Sequence, residues 1–434
     1  MKQYRWSSIP SGERDAVLRP PQTGLADAIR LSVLDIIAAV RADGDAALLR
    51  FTRQFDGVDL RELKLDALTL QPAKEAVSKE LITALGIAAR NIERFHEAQR
   101  PRDVSVETMP GLVCEQRWIP LSTVGLYVPG GTAPLFSTVL MLGIPARLAG
   151  CERVIICTPP QADGTLHPAI IAAAQIAGIT EIYTVGGAQA IAAMAYGTET
   201  IPKVDKIFGP GNAYVTAAKM QVSLDGHGAA IDLPAGPTEV MVIANNTITA
   251  AWVAADLLAQ AEHDVLADVV FVTNDESYAA EVWRETQAQA PKLPRRSIAE
   301  KALEHARSII VEDWSEAAEV ANRYAPEHLL LQGLEPEALL PQVRHAGSIF
   351  LGSHTPEPLG DYASGTNHVL PTGRAARAYS GVTLLSFMKS ITVQRASSAS
   401  LAAIAPTVIA LAEGEGLEGH ANAVRIRLDR GDSG

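Results

Sequence analysis

Four short segments of the sequence carry side chains that can ligate a metal or transfer a proton. In LLAQAEHD, Gln260 and His263 lie three residues apart, which places them on one face of a predicted helix. In GDYASGTNHVLPTG, Asp361 and His368 lie in an irregular segment flanked by glycine, and Asp and His are typical ligands of Zn²⁺. Each pair also has an ordinary alternative, a surface histidine at a helix end or an Asx turn beside an exposed histidine.

The other two segments hold side chains that could transfer a proton, but their patterns are less specific than those of the first two. YAPEHLLLQ places Glu327 and His328 at the start of a strongly apolar predicted strand. An adjacent carboxylate and imidazole can act as an acid–base pair, and a solvated strand end is the ordinary alternative. EGEGLEGHANAV holds Glu415 and His420, and by itself it indicates only a polar loop between helices.

Three glycine-rich turns follow predicted strands between residues 125 and 211: GLYVPGG, VGGAQA and FGPGN. Glycine lets the backbone approach a phosphate closely at the end of a strand. The turns GLYVPGG and FGPGN do not match the GxGxxG fingerprint of ordinary dinucleotide-binding proteins. A plain turn is the alternative for each, but three such turns on one predicted sheet favour a ligand cleft at the carboxyl ends of its strands.

Alternating strands and helices must position these segments. Residues 26–99 have helical periodicity, and strand and helix patterns then alternate along the chain. This alternation predicts parallel βαβ units, and therefore an α/β fold. The predicted strands are VIICTPP, EIYTVGG, KVDKIFGPGN, VMVIAN, VVFVTN, SIIVED, HLLLQ and SIFLG.

Composition limits the class of protein. Of 434 residues, 47% are hydrophobic, and 37 Lys and Arg against 49 Asp and Glu give a net charge of −12. The acidic sum argues against nucleic acid as a partner. The sequence shows neither a signal peptide nor an uninterrupted apolar run of membrane-spanning length, so we expect a cytoplasmic protein with no membrane partner. Three cysteines, Cys114, Cys151 and Cys157, cannot form a disulfide framework.

Seven motifs, in family order, resemble the histidinol dehydrogenases. They are GLYVPGGTAPLFSTVLM, VGGAQAIAAMAYGT, VDKIFGPGNAYV, AIDLPAGPTEV, QAEH, PEHL and GDYASGTNHVLPT, and the resemblance covers residues 25–425. It implies oxidation of L-histidinol through L-histidinaldehyde to L-histidine with NAD as the hydride acceptor, which are the last steps of histidine biosynthesis.

The resemblance also implies a role for individual residues. One Zn²⁺ per subunit would be held by Gln260, His263, Asp361 and His420, with His420 supplied by the other subunit of a homodimer. His328 would be the general base, for which the ordinary imidazole pKa of about 6.5 is suitable, and Glu327 would activate water. The implied substrate contacts are Thr238, Gln260, His263, His328, Asp361, His368, Glu415 and His420, and the implied NAD contacts are Tyr127, Gln189 and Asn212.

With these roles, the predicted fold consists of two incomplete Rossmann-like domains with parallel sheets. An irregular N-terminal arm spans 1–25, the first α/β domain (26–126 and 238–380) carries the metal and catalytic residues, and the second (127–237) forms the NAD side. A helical C-terminal tail, 381–434, ends in a strand-like AVRIRLD and is exchanged in the dimer. Two other functions remain open on the residues alone: a zinc hydrolase, and a metal-dependent binding protein without catalysis.

Overall fold

A computed structural model describes residues 2–19, 26–65, 75–130, 134–234, 236–333 and 336–429. The chain forms two compact units: a main unit, 1–99 and 121–387, and a small unit, 100–120 and 388–434. The strands are β1 Lys2–Arg5, β2 Val104–Met109, β3 Leu112–Pro120, β4 Thr123–Tyr127, β5 Arg153–Thr158, β6 Glu181–Thr184, β7 Lys206–Phe208, β8 Ala230–Ile231, β9 Glu239–Ala244, β10 Asp268–Thr273, β11 Arg307–Ile310, β12 His328–Gln332, β13 Ser348–Leu351 and β14 Met388–Ala396.

Helices connect most of the strands in the main unit. They are Arg14–Val17, Ala26–Asp56, Lys79–Glu97, Phe136–Ala149, Pro168–Ala177, Gly187–Tyr196, Ala213–Leu224, Ala250–Ala261, Glu276–Gln289, Arg296–Leu303, Trp314–Tyr324 and Pro336–Leu339. The helices of the small unit are Ser398–Gly414 and Glu418–Asp429. In the part of the chain that is described, no helix combines the length and the hydrophobicity that a membrane span requires.

A six-stranded parallel sheet, in the order β1-β11-β10-β9-β12-β13, forms one half of the main unit. Its central strand β9 is buried on both faces, because Val240 and Val242 belong to one apolar cluster and Met241 and Ile243 to the other. Continuous apolar strands of this kind are expected where helices cover both faces of a sheet. His328 lies opposite Val240 in the pairing of β12 with β9. The residues just before these two parallel strands therefore lie side by side at the amino ends of the strands.

A five-stranded parallel sheet, in the order β6-β5-β4-β7-β8, forms the other half. The two sheets confirm the predicted α/β fold with parallel strands. The helix Ala26–Asp56, which the sequence assigns to the metal-bearing domain, packs instead against two helices of this half, Gly187–Tyr196 and Ala213–Leu224. Its residues Val33, Val40 and Leu48 join the same apolar cluster as Ile191. The domain boundaries themselves remain a prediction.

The described part of the N-terminal arm, residues 2–19, forms a strand and short helical turns. The prediction of an irregular arm over residues 1–25 is wrong for this part. Strand β1 pairs in parallel with β11, and Trp6 is fully buried and donates its indole N–H to Glu319 at 3.2 Å. The sequence KQYR lacks an apolar pattern because an edge strand has a single neighbour and keeps most of its side chains exposed.

The small unit contains an antiparallel sheet, in the order β14-β3-β2, and two helices. Within the predicted tail, 381–434, both α-helices therefore follow strand β14. The prediction of a strand at AVRIRLD is also wrong, because this segment lies within the helix Glu418–Asp429. Its Arg425 pairs with Glu418 in the same helix and with Glu413 in the preceding one. Alternation over seven residues is too short to distinguish a strand from a polar helix.

Candidate active site

The helix Ala250–Ala261 positions the first pair of predicted ligands. Gln260 lies in its last turn and is fully buried, and His263 follows the helix with its N–H donated to the Gln260 carbonyl at 3.1 Å. Asp256 lies one turn before Gln260 and is also buried. The three-residue spacing thus brings Gln260 and His263 to one helix end, as the sequence predicts.

Glu327 is fixed at the amino end of strand β12. Its Oε2 accepts a hydrogen bond from the Thr238 hydroxyl at 2.6 Å and another from the Glu239 backbone N–H at 2.9 Å. Burial raises the pKa of the Glu327 carboxyl above its usual value. Because Oε2 is held by these two donors, Oε1 is the oxygen that can accept a proton from a water molecule.

His328 is oriented by a backbone carbonyl. Its Nδ1 lies 3.1 Å from the Glu239 oxygen, and because a carbonyl only accepts, Nδ1 carries the proton of this bond. Nε2 is buried with no hydrogen-bond partner among the described residues, 3.6 Å from Asp361 Oδ1. In the neutral ring, Nε2 therefore has a free lone pair that faces the site.

The pKa of His328 differs from the ordinary value that the sequence interpretation assumes. Burial opposes protonation, but the carboxylates of Glu327, Glu357 and Asp361 outweigh it and raise the pKa to about 10. The physical reason is the convergence of acidic side chains from separate segments, which is not visible in any one motif. A cation among these carboxylates would offset their charge.

A cluster of potential ligands lies beside this pair. One ligand atom from each of His263, Glu357 and Asp361 lies within 4.8 Å of the other two. Glu357 is fully buried, and Gln260 completes the group of imidazole, carboxylate and amide donors. Nitrogen and oxygen donors of this kind suit Zn²⁺ or Mn²⁺, so the residues present fit a divalent metal.

Sequence reasoning missed Glu357. Its segment, HTPEPLGD, gives no local pattern, although Glu357 precedes Asp361 by four residues and both belong to the turn that includes Leu359–Ala363. The wide helical turn brings both carboxylates to one side. A search for acidic residues near Asp361 would have found it, but not its contact with Gln260.

A cavity of about 140 Å³ lies at this group, lined by Thr238, His263, Glu327, His328, Asp361 and His368 among others. The two nitrogens of His368 are engaged, Nδ1 with the Asp361 carbonyl at 2.8 Å and Nε2 with the Thr138 hydroxyl at 3.1 Å. Burial lowers the pKa of His368. The structure thus brings five of the predicted substrate residues around one small cavity, and the sixth of the main unit, Gln260, lies beside Thr238.

A second cavity, of about 630 Å³, contains the three predicted NAD residues. Tyr127 ends strand β4, and its hydroxyl accepts the Gly187 N–H at 3.1 Å. Gln189 is buried in the helix that begins at Gly187, and Asn212 caps the next helix by accepting two backbone N–H groups. The cavity therefore lies at the carboxyl ends of the strands of the five-stranded sheet.

The two cavities adjoin, because Leu135 and His263 line both. Glu415 and His420 belong to the small unit, where Glu415 ends the helix Ser398–Gly414 and His420 lies in the last helix. Their part in the site remains a prediction. The thiols of Cys151 and Cys157 line neither cavity, and burial raises the pKa of both, that of Cys151 to about 12.

The fold and this site define a parallel-sheet α/β enzyme with a buried acid–base pair beside a set of metal-ligating side chains. A sequence model of the histidinol dehydrogenase family matches residues 21–428. The chain is 51% identical to a histidinol dehydrogenase of Xanthomonas euvesicatoria over 429 residues, covering 99% of each chain, and 50% identical to that of Vibrio parahaemolyticus over 431 residues with the same coverage. The crystal structure of a histidinol dehydrogenase from Elizabethkingia anophelis superimposes with a TM-score of 0.93 at 44% identity, covering 99% of this chain and 98% of the other. The chain belongs to the histidinol dehydrogenase family.

Proposed function

We propose that this protein oxidises L-histidinol through L-histidinaldehyde to L-histidine in histidine biosynthesis, with NAD as the hydride acceptor and His328 and Glu327 as the catalytic residues. The observation that carries the proposal is the orientation of His328, whose Nδ1 is bound to a carbonyl while Nε2 is buried without a partner and faces the small cavity. Membership of the family supports the reaction, and the adjoining larger cavity has room for a cofactor beside the reacting carbon.

In the first oxidation, Nε2 of His328 accepts the hydroxyl proton of the alcohol while a hydride leaves the carbinol carbon for NAD⁺. The Glu239 carbonyl keeps Nδ1 protonated, so the ring accepts the proton at Nε2. Asp361, 3.6 Å away, stabilises the imidazolium that results. The carbon is thereby oxidised to the aldehyde.

In the second oxidation, Glu327 accepts a proton from water as the water oxygen adds to the aldehyde carbon. The His328 imidazolium donates its proton to the aldehyde oxygen in the same step, which gives a gem-diol and restores the neutral base. The Thr238 hydroxyl and the Glu239 N–H hold the carboxylate in place for this step. His328 again accepts a hydroxyl proton as a second hydride leaves, and the carboxylate of histidine is formed. Each histidinol therefore reduces two NAD⁺, one in each oxidation.

Gln260, His263 and Asp361 would hold a divalent metal, with His420 of a second subunit as a further ligand. When bound, such a metal supplies a template that binds two substrate nitrogens and orients the carbinol carbon. The role of Tyr127, Gln189 and Asn212 in this proposal is to bind NAD in the larger cavity, and Glu415 and His368 contact the substrate. The place of reaction would be the cytoplasm.

The homodimer with a shared site can be tested by mixing inactive variants. If His420 acts on the partner's site, equal amounts of His328→Ala and His420→Ala protein regain about a quarter of the normal activity, because half of the dimers are mixed and each contains one intact site. An absence of rescue, with subunit exchange confirmed, would contradict the shared site.

One assay separates the dehydrogenase from the two other functions. NADH absorbance is followed with L-histidinol before metal removal, after it, and after Zn²⁺ is restored. We expect NADH formation that stops on metal removal and returns with Zn²⁺. A hydrolase or a binding protein of this fold would give no NADH under any of these conditions.

A further inference from the structure

Glu357 is a buried carboxylate to which the mechanism above gives no task. Its side chain is fully buried, and it precedes by four residues the ligand Asp361. A buried carboxylate is costly unless hydrogen bonds satisfy it, so its partners indicate why it is there.

The backbone of Glu357 is tied to the helix that carries Gln260. The Asp256 carboxylate accepts the Glu357 backbone N–H as well as the Gln332 side-chain amide, the latter at 2.6 Å. Asp256 and Gln260 lie one turn apart on the helix Ala250–Ala261 and therefore on the same face. This contact fixes the position of Glu357 relative to Gln260.

The side chain of Glu357 then selects the orientation of the Gln260 amide. With the amide nitrogen towards Glu357, it donates to Oε1 at 2.7 Å and to Oε2 at 3.0 Å, and the amide oxygen faces the Thr238 hydroxyl. In the opposite orientation the amide oxygen would face two carboxylate oxygens with no proton between them. In its ionised form, which a divalent cation in the site would favour, the Glu357 carboxylate only accepts, so it selects the nitrogen end.

A metal binds an amide through its oxygen, because the NH₂ group is a donor. We propose that Glu357 is a positioning residue of the metal centre, which holds the Gln260 amide nitrogen and so presents the amide oxygen as the ligand. The role rests on the proposed function of Gln260 as a ligand. Outer hydrogen-bond partners of this kind orient the ligand, and their loss weakens metal binding by about 10- to 100-fold.

The variant Glu357→Gln tests the proposal, because two facing amides can pair in either orientation and the selection is lost. We expect Zn²⁺ affinity, measured on the full-length protein by competition with a chromophoric chelator, to fall about 10- to 100-fold. Glu181→Gln is the control, since Glu181 is a partly buried, hydrogen-bonded carboxylate that pairs with Arg153 and lines neither cavity. The control is expected to bind Zn²⁺ like the wild type.

A double-mutant cycle distinguishes positioning from direct ligation. If Glu357 acts through Gln260, Glu357→Gln in a Gln260→Ala background causes no further loss of Zn²⁺ affinity, and the absorption bands of bound Co²⁺ stay the same as in Gln260→Ala alone. Wild-type affinity in Glu357→Gln, or an additive loss in the double variant, would overturn the proposal. If Gln260→Ala alone binds Zn²⁺ normally, the failure is that of Gln260 as a ligand, which is a separate result.

Thermal unfolding of the metal-free variants shows whether they fold. If Glu357→Gln does not, Glu357→Asp takes its place, because it keeps the charge but withdraws the carboxylate from the Gln260 amide by one methylene group. It is expected to lose Zn²⁺ affinity by a smaller factor, about 10-fold. An Asp variant that is folded and binds Zn²⁺ normally would overturn the proposal.

Discussion

The two cavities of the main unit adjoin, yet they lie at opposite ends of their strands and are built from different chemistry. The smaller is at the amino ends of β9 and β12 and is lined by ionisable groups, whereas the larger is at the carboxyl ends of the five-stranded sheet. There Tyr127, Gln189 and Asn212 offer neutral polar groups beside glycine-rich turns, and the charged side chains of Asp56, Asp264 and Arg295 also line the cavity. The usual location of ligands in parallel sheets thus accounts for the larger cavity alone.

This difference separates two tasks. Buried carboxylates and histidines raise or lower one another's pKa, which suits proton transfer and metal binding. Neutral side chains and backbone N–H groups bind a dinucleotide without a change of protonation. Substitutions on the two sides should therefore affect different measured quantities.

The largest expected effect belongs to His328. The variant His328→Asn keeps a donor for the Glu239 carbonyl but removes the base, and kcat should fall by about 100- to 10,000-fold. The affinity for NAD, measured by NADH fluorescence, should not change. The exposed His227, replaced by Asn, is the control. A kcat within a few-fold of the wild type would exclude His328 as the base.

The second effect follows from burial of Glu239 beside the acid–base pair. Burial, followed by the charge of Glu327, raises the pKa of Glu239 from 4.5 to about 8. Its folded-state pKa is raised, so this group's contribution to stability is present below about pH 4.5 and is lost as the pH rises through about 8. Glu239→Gln lacks this dependence.

We therefore expect the free energy of unfolding of Glu239→Gln to increase relative to that of the wild type over this pH range. The expected change is about 1 kcal/mol or more, since one pKa unit corresponds to about 1.4 kcal/mol. Urea unfolding of both proteins at the two ends of the range measures it. A difference that is constant with pH would show that burial does not raise the pKa of Glu239.

The smallest effect belongs to the larger cavity. Tyr127→Phe removes the acceptor of the Gly187 N–H, so the KM for NAD should rise by about 2- to 12-fold, equivalent to about 0.5–1.5 kcal/mol. Zn²⁺ affinity should stay the same. Tyr183→Phe is the control, because its hydroxyl bonds to Glu181 on the same sheet and lines neither cavity. Weaker Zn²⁺ binding in Tyr127→Phe would contradict the separation.

Much of the fold could be predicted because buried parallel strands are continuous apolar runs, as in VMVIAN and VVFVTN. Strands β1 and β14 could not, since the polar KQYR and the mostly exposed MKSITVQRA depend on partners far away in the sequence. In the site, the pairs Gln260–His263 and Glu327–His328 are local and visible. Glu357 and the raised pKa of His328 arise from contacts between distant segments, which no single motif contains.

The division of tasks between the two cavities is tested most directly by calorimetric titration of NAD⁺ and of L-histidinol, each into the metal-free and the Zn²⁺-loaded protein. We predict that metal removal weakens L-histidinol binding by about 100-fold or more, equivalent to about 2.7 kcal/mol, and leaves NAD⁺ binding unchanged. Equal losses for both ligands, or a loss for NAD⁺ alone, would contradict it.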